Sequence, residues 1–403
     1  MTVAAPPERK SPDAAGAARR FAVVAFVSAA CALGIIVPLS SAHLSQGEGT
    51  RGVVTHFDSI LGPWIEFDAG WYRRISEQGY SDAEVDNYKA GRESAAAFFP
   101  GYPLAVRALT PLAADDPFLA EIALTIAFGA ASAVLFILWC RRRVSDRAAR
   151  LSVVTLFLFP YAYYLVAAPY ADAMFLAATL AAFLLVENDR PLLAGLAGAV
   201  ASATRPVGFG VVVALIVIVL QRQGALSIRP RRVLWSRLRP RDAGVLLSAV
   251  GIGGYMAFSW YRFGSPTAFS IAQRGWDQTL DLHTVLKLNF FDRLLHDDQH
   301  GYVLRLALQG VLGFVFIAAI PAVWRRFGAA YGLYTLIVLG VPTIGSGMFI
   351  SVGRYLLAAF PIFALAGTWL ADRSRRDVTA LLTLSAIGLT VIASYYGRSY
   401  FMA

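Results

Sequence analysis

A carboxylate that takes a proton from a substrate hydroxyl must sit within hydrogen-bond reach of it, in a setting that holds it still. Asp68 has such a setting. It lies in the stretch from His56 to Arg107, among Trp64, Phe67, Trp71 and Tyr72, with a second cluster, Phe98-Phe99-Pro100-Gly101-Tyr102-Pro103, further on. Two arginines in apolar surroundings are the natural complement. Arg354 opens an apolar run as Gly353-Arg354-Tyr355, and Arg205 precedes Pro206 in the middle of another. A guanidinium is costly in such a place unless it has a partner, and it is well shaped to hold a phosphate by paired hydrogen bonds. Aromatic rings and amides suit a sugar. Trp71, Tyr72, Phe99, Tyr102, Gln273 and Trp276 are the candidates, with Tyr355 beside the arginine.

Each residue also has a plainer reading. Glu66 to Tyr80 suits a short amphipathic helix, with Asp68 as its N-cap, Gly79 just past its end, and Arg73 and Glu77 as an i,i+4 pair. Asp68 as a mere cap would need no chemistry. Arg354 fits a side chain snorkelling to an interface, and Arg205 fits an ion pair with Asp172. Trp and Tyr collect at membrane surfaces without binding sugars. Asp58 and Glu66 are rival carboxylates in the same loop. His56 and Asp58 alone are two ligands without a third, so no metal site is expected.

These residues need elements to position them, and the composition says which. Hydrophobic residues make up 57% of the 403 and charged residues 15%; mean hydropathy is +0.56. Soluble domains carry about a quarter charged residues, so an all-helical polytopic membrane protein is expected. The net charge of +10 follows from basic residues placed by side of the membrane and does not point to nucleic acid. Two cysteines, Cys31 and Cys140, both in apolar runs, exclude a disulfide framework.

The chain divides into a polar, Ala/Pro-rich tail, 1–18, expected to be disordered and cytoplasmic, and a single transmembrane domain, 19–403. Eleven apolar elements are expected, as membrane-spanning or membrane-embedded helices. Two long loops face outward, 44–116 and 262–301. The first carries eleven acidic and six basic residues, whereas 141–150, 221–242 and 373–376 are arginine-rich and belong inside. Leu192 to Leu220 as one helix would put 221–242 outside. Pro206 disfavours helix at Arg205, so two elements are expected, Leu192–Ala203 and Val207–Leu220. Irregular backbone at membrane depth is tolerated around a cavity. Tyr161, Tyr163 and Tyr164 are expected as an interfacial belt.

The first loop also resembles a known family. Phe67-Asp68-Ala69, Ile75, Gly79-Tyr80 and Phe98-Phe99-Pro100 with Pro103 look like the PIG-V-like mannosyltransferases, the second mannosyltransferase of GPI-anchor assembly and its bacterial relatives. Fainter echoes follow in family order at Ala203–Gly208, Phe263–Trp276 and Gly353–Phe363. The resemblance implies a GT-C-like fold and an inverting transfer of mannose from a polyprenyl-phosphate donor to a glycolipid or glycan acceptor at the outer face. It implies Asp68 as general base, with Arg354 or Arg205 on the donor phosphate, and no cofactor. Composition and topology without it allow a lipid or glycan transporter or flippase equally well.

Overall fold

The computed structural model describes residues 12–45, 47, 61–227, 232–276, 281–296 and 300–400. His56 and Asp58 lie outside them. The described residues are overwhelmingly helical. Their one strand pairing is a two-residue antiparallel ladder, Leu226 with Val233 and Ser227 with Arg232.

Among the described residues five helices are long and apolar enough to cross a membrane: Ala14–His43, Pro117–Cys140, Pro240–Phe263, Gly301–Phe327 and Arg375–Gly397. Their boundaries follow local chemistry. Pro117–Cys140 begins with Pro at its first turn, and the Asp116 side chain accepts from Phe118 N–H at 2.8 Å. It ends where Arg141-Arg142-Arg143 begins. Arg375–Gly397 is capped by Ser374, whose hydroxyl accepts from Asp377 N–H. The first helix runs from Pro12, inside the segment expected to be a disordered tail. Its Ala-rich opening favours helix, and the run continues without a break into the apolar span.

Shorter apolar helices complete the bundle, and two breaks matter. Pro191–Thr204 and Phe209–Arg222 are separate helices, with Arg205 extended between them at φ −156°, ψ 148°. Both run between the same two ends of the molecule, as a hairpin with Arg205 at its tip. The apolar stretch that Arg354 opens is broken as well, into Val352–Ala358 and Phe360–Ala371, bent by 77°. Pro361 opens the second helix, which puts Arg354 on a short helix of its own.

The charged side chains sort to the two ends. At one, Arg142 reaches Glu187 at 3.4 Å, Arg143 pairs with the same carboxylate, and Arg241 pairs with Asp189. Arg147 donates to the Arg373 carbonyl at 3.2 Å. The helix Pro117–Cys140 leads from this end to the other, over roughly 36 Å at 1.5 Å per residue. At the far end lie the first loop, the Arg205 hairpin tip and Arg354. Tyr161, Tyr163 and Tyr164 form no interfacial belt. All three are fully buried, and Tyr163 and Tyr164 pack on the Tyr396 ring at 4.8 and 5.8 Å. The helix Asp146–Phe157 stops before Pro160, and the turn that follows carries the rings inward.

Candidate active site

The described part of the first loop carries the short α-helices Ala69–Gln78, Asp82–Lys89 and Gly101–Leu109. The first buries Ala69, Tyr72, Ile75 and Ser76. Asp68 stands at its cap position, but its side chain does not cap it. Arg73 lies over the Phe118 ring, 5.5 Å from the centroid, and no ion pair joins it to Glu77. Gly79, at φ +69°, takes the left-handed turn that ends the helix.

Instead of capping, the Asp68 carboxylate reaches across the fold. Its Oδ2 accepts from Arg354 Nη1 at 2.6 Å. Its side chain keeps 24% exposure, while that of Arg354 keeps 9%. Arg205 forms a second, more deeply buried pair with Asp172. Tyr355 links the two pairs: the Arg205 guanidinium lies 4.3 Å from its ring centroid and that of Arg354 5.5 Å. Gly353 permits this packing, since a Cβ there would fall 2.5 Å from the Tyr161 ring.

Asp68, Arg205, Arg354 and Tyr355 line one cavity of about 930 Å³. Trp71, Tyr72, Phe99, Gln273 and Trp276 line it too. Its aromatic wall is a three-ring cluster: Phe98 stacks on Trp71 at 5.5 Å, and Trp276 meets both edge-on at 5.7 and 5.8 Å. The second long loop is pressed against the first to make this wall. A Cβ on Gly275 would meet the Glu93 nitrogen at 2.5 Å, and Arg262 donates to the Tyr80 carbonyl at 2.9 Å. Burial holds the Tyr72 hydroxyl firmly in its protonated form.

Tyr102 lies outside the cavity. It is fully buried behind Tyr72, ring to ring at 5.2 Å, and its hydroxyl donates to the Glu121 carbonyl at 3.1 Å. Glu66, the rival carboxylate, also lies outside it. Its side chain is 1% exposed and accepts from the Ser399 hydroxyl at 2.7 Å.

Three lining or supporting residues escaped the sequence reading. Glu93 lines the cavity, and partial burial together with the Asp68 charge raises its carboxyl above the usual range. Arg92 lines the rim beside it. Tyr170 braces Asp68 from behind: its hydroxyl accepts from the Asp68 N–H at 3.1 Å and donates to the Glu66 carbonyl at 2.9 Å. The charged pair belongs to a polar loop, where charge carries no signal. Tyr170 acts through backbone groups, which sequence does not mark.

Among the described residues no three His, Cys, Asp or Glu side chains gather as a metal site. The arrangement offers two carboxylates, Asp68 and Glu93, four guanidiniums, Arg74, Arg92, Arg205 and Arg354, and an aromatic wall around a space large enough for a sugar phosphate.

No protein-family model matches the chain, and no curated protein matches it in sequence. Among solved structures it is similar to the oligosaccharyltransferase of Archaeoglobus fulgidus in its apo form, at 12% identity and a TM-score of 0.44. The likeness covers 93% of this chain and 56% of that one, so the chain spans about half the length of that protein. The class defined by the fold is a helical integral membrane protein with a cavity of charged and aromatic side chains at one end.

Proposed function

We propose that this protein is an inverting membrane glycosyltransferase of the GT-C type, moving mannose from a polyprenyl-phosphate donor to a glycolipid or glycan acceptor at the outer membrane face. The observation that carries the reading is the convergence of Asp68, Arg354 and Arg205 in one cavity with the aromatic cluster. The motif resemblance of the first loop supports mannose and the lipid-linked donor.

In this reading the acceptor hydroxyl attacks the anomeric carbon of the donor sugar. Its O–H proton passes to the Asp68 carboxylate as the new C–O bond forms. The bond from the anomeric carbon to the phosphate oxygen breaks on the opposite face. Its electron pair leaves with polyprenyl phosphate, whose added charge falls to Arg354 and Arg205. Only one Asp68 oxygen is engaged by Arg354; the other has no hydrogen-bond partner among the described residues and is free to take the proton. Arg354 also keeps donors in hand, since its buried Nε has no partner.

The test is reconstitution. Purified protein in lipid nanodiscs, given radiolabelled polyprenyl-phosphate mannose and a native lipid extract, is expected to move label into a new, more polar lipid or glycan. Label that stays on the donor would overturn the reading, and donor that also crosses the bilayer unchanged in proteoliposomes would make the protein a transporter instead.

A further inference from the structure

Asp68 is held from two sides by groups that touch neither the cavity nor its contents. Phe67, just before it, sits at φ +55°. For a bulky aromatic residue that is an outlier, and it persists only where the surroundings over-determine it. The surroundings here are specific. The Tyr170 hydroxyl bridges the two peptide groups flanking Phe67, accepting from Asp68 N–H and donating to the Glu66 carbonyl. The end of the helix Arg375–Gly397 closes on the same loop. The Tyr396 hydroxyl donates to the Trp64 carbonyl at 3.0 Å, the Tyr396 ring meets Phe67 at 5.9 Å, and the Ser399 hydroxyl donates to the buried Glu66 carboxylate at 2.7 Å. Ser399 is itself strained, at φ +61°. The Tyr396 ring also packs on Tyr170, at 6.4 Å, so the two braces touch.

We propose that Tyr170, Tyr396 and Ser399 are positioning residues that fix the strained turn at Phe67 and thereby aim the Asp68 carboxylate at its substrate. The proposal rests on Asp68 acting as the base described above. It gives Glu66 a definite role, as the anchor by which the end of the last helix grips the loop. A one-ångström displacement of a reacting group costs about a hundredfold in rate. Removing a hydroxyl that holds both sides of the turn therefore slows the chemical step without emptying the cavity.

The experiment uses the full chain in nanodiscs, with polyprenyl-phosphate mannose as donor. Tyr170→Phe is expected to lower kcat by about ten- to a hundredfold with donor Kd unchanged. Ser399→Ala is expected to lower it less, again with donor Kd unchanged. In parallel, hydrogen exchange over residues 62–71 is expected to speed up in Tyr170→Phe and Ser399→Ala. Unaltered kcat in both variants overturns the proposal, as does loss of donor binding in step with kcat. If Asp68→Asn turns over normally, Asp68 is not the base and the aiming half of the proposal falls with it. Exchange over 62–71 still decides the brace: faster exchange upholds it as a clamp on the loop, and unaltered exchange removes it.

Discussion

Asp68 and Arg354 are 286 residues apart in the chain, and their side chains meet at 2.6 Å. One comes from a loop between helices and the other from a seven-residue helix at a bent span. The contact brings a candidate base and a candidate phosphate clamp to one guanidinium. It makes Arg354 the first residue to test.

If Arg354 holds the donor phosphate, Arg354→Lys will weaken donor binding although the charge is kept, because an ammonium cannot make the planar two-pronged contact. Arg354→Ala will weaken it further. Equilibrium binding of labelled donor to the nanodisc protein measures both. Unchanged affinity in the two variants would move the phosphate site to Arg205.

Arg205 holds a buried ion pair and also lines the cavity, so a structural role can be separated from the proposed role on the donor phosphate. Asp172→Asn leaves a buried guanidinium without its carboxylate, at a cost of about 3–5 kcal/mol. Replacing both partners, Arg205→Met with Asp172→Leu, will recover most of the thermal stability. The double variant will still bind donor poorly if Arg205 shares the phosphate. Normal donor binding in the stable double variant would confine Arg205 to a structural role.

The ends of the bundle should lie on opposite sides of the membrane. Single cysteines at Ser81 and Ser227, in a Cys31→Ser background because Cys31 is exposed, will react with an impermeant reagent from opposite sides. The arginine-rich end is expected inside. Labelling from the same side would contradict the hairpin at Arg205.

Lys287 gives a pH signature. Its ammonium donates to the carbonyls of Thr343 and Ser346, which close the cavity-lining end of the helix Ala329–Gly345. Burial pushes its pKa down to about 8 from the ordinary 10.5. Between those values the unfolded chain binds more protons than the folded one, so stability rises with pH. Thermal midpoints of the wild type, taken against Lys287→Met, will climb from about pH 8 to 10.5. A flat difference across that window would mean that the lysine is not desolvated.

The helical architecture was legible in the sequence because apolar runs and arginine clusters are strong signals. Pro206 marked the hairpin for a local reason: proline removes helix from the residue before it. Asp68, Arg205 and Arg354 were legible as candidates because a charge is conspicuous in an aromatic or apolar setting. Their meeting was not, since nothing in the chain relates residue 68 to residue 354. The tyrosines were misread for an equally physical reason. A tyrosine near the end of an apolar run looks interfacial, yet a proline-broken helix turned Tyr161, Tyr163 and Tyr164 inward. Tyr102 likewise has the composition of a cavity residue, but its hydroxyl is spent on a backbone carbonyl in the core. Supports that work through carbonyls, such as Tyr170 and Tyr396, leave no pattern to read.

The central claim is that the Asp68 carboxylate takes the acceptor's proton, and single-turnover transfer by Asp68→Asn tests it most directly. Asparagine keeps the size, and the backbone bond from Asp68 N–H to Tyr170 is untouched. The amide oxygen can still accept from Arg354, but the lost ion pair will lower the thermal midpoint, so folding and binding of polyprenyl-phosphate mannose are measured first, and both are expected to survive. The variant's transfer rate should fall by about a hundred- to ten-thousandfold, while Glu77→Gln, a change at an exposed carboxylate of the same loop outside the cavity, leaves transfer near normal. Near-normal transfer by Asp68→Asn, or an equal loss in Glu77→Gln, would contradict the account.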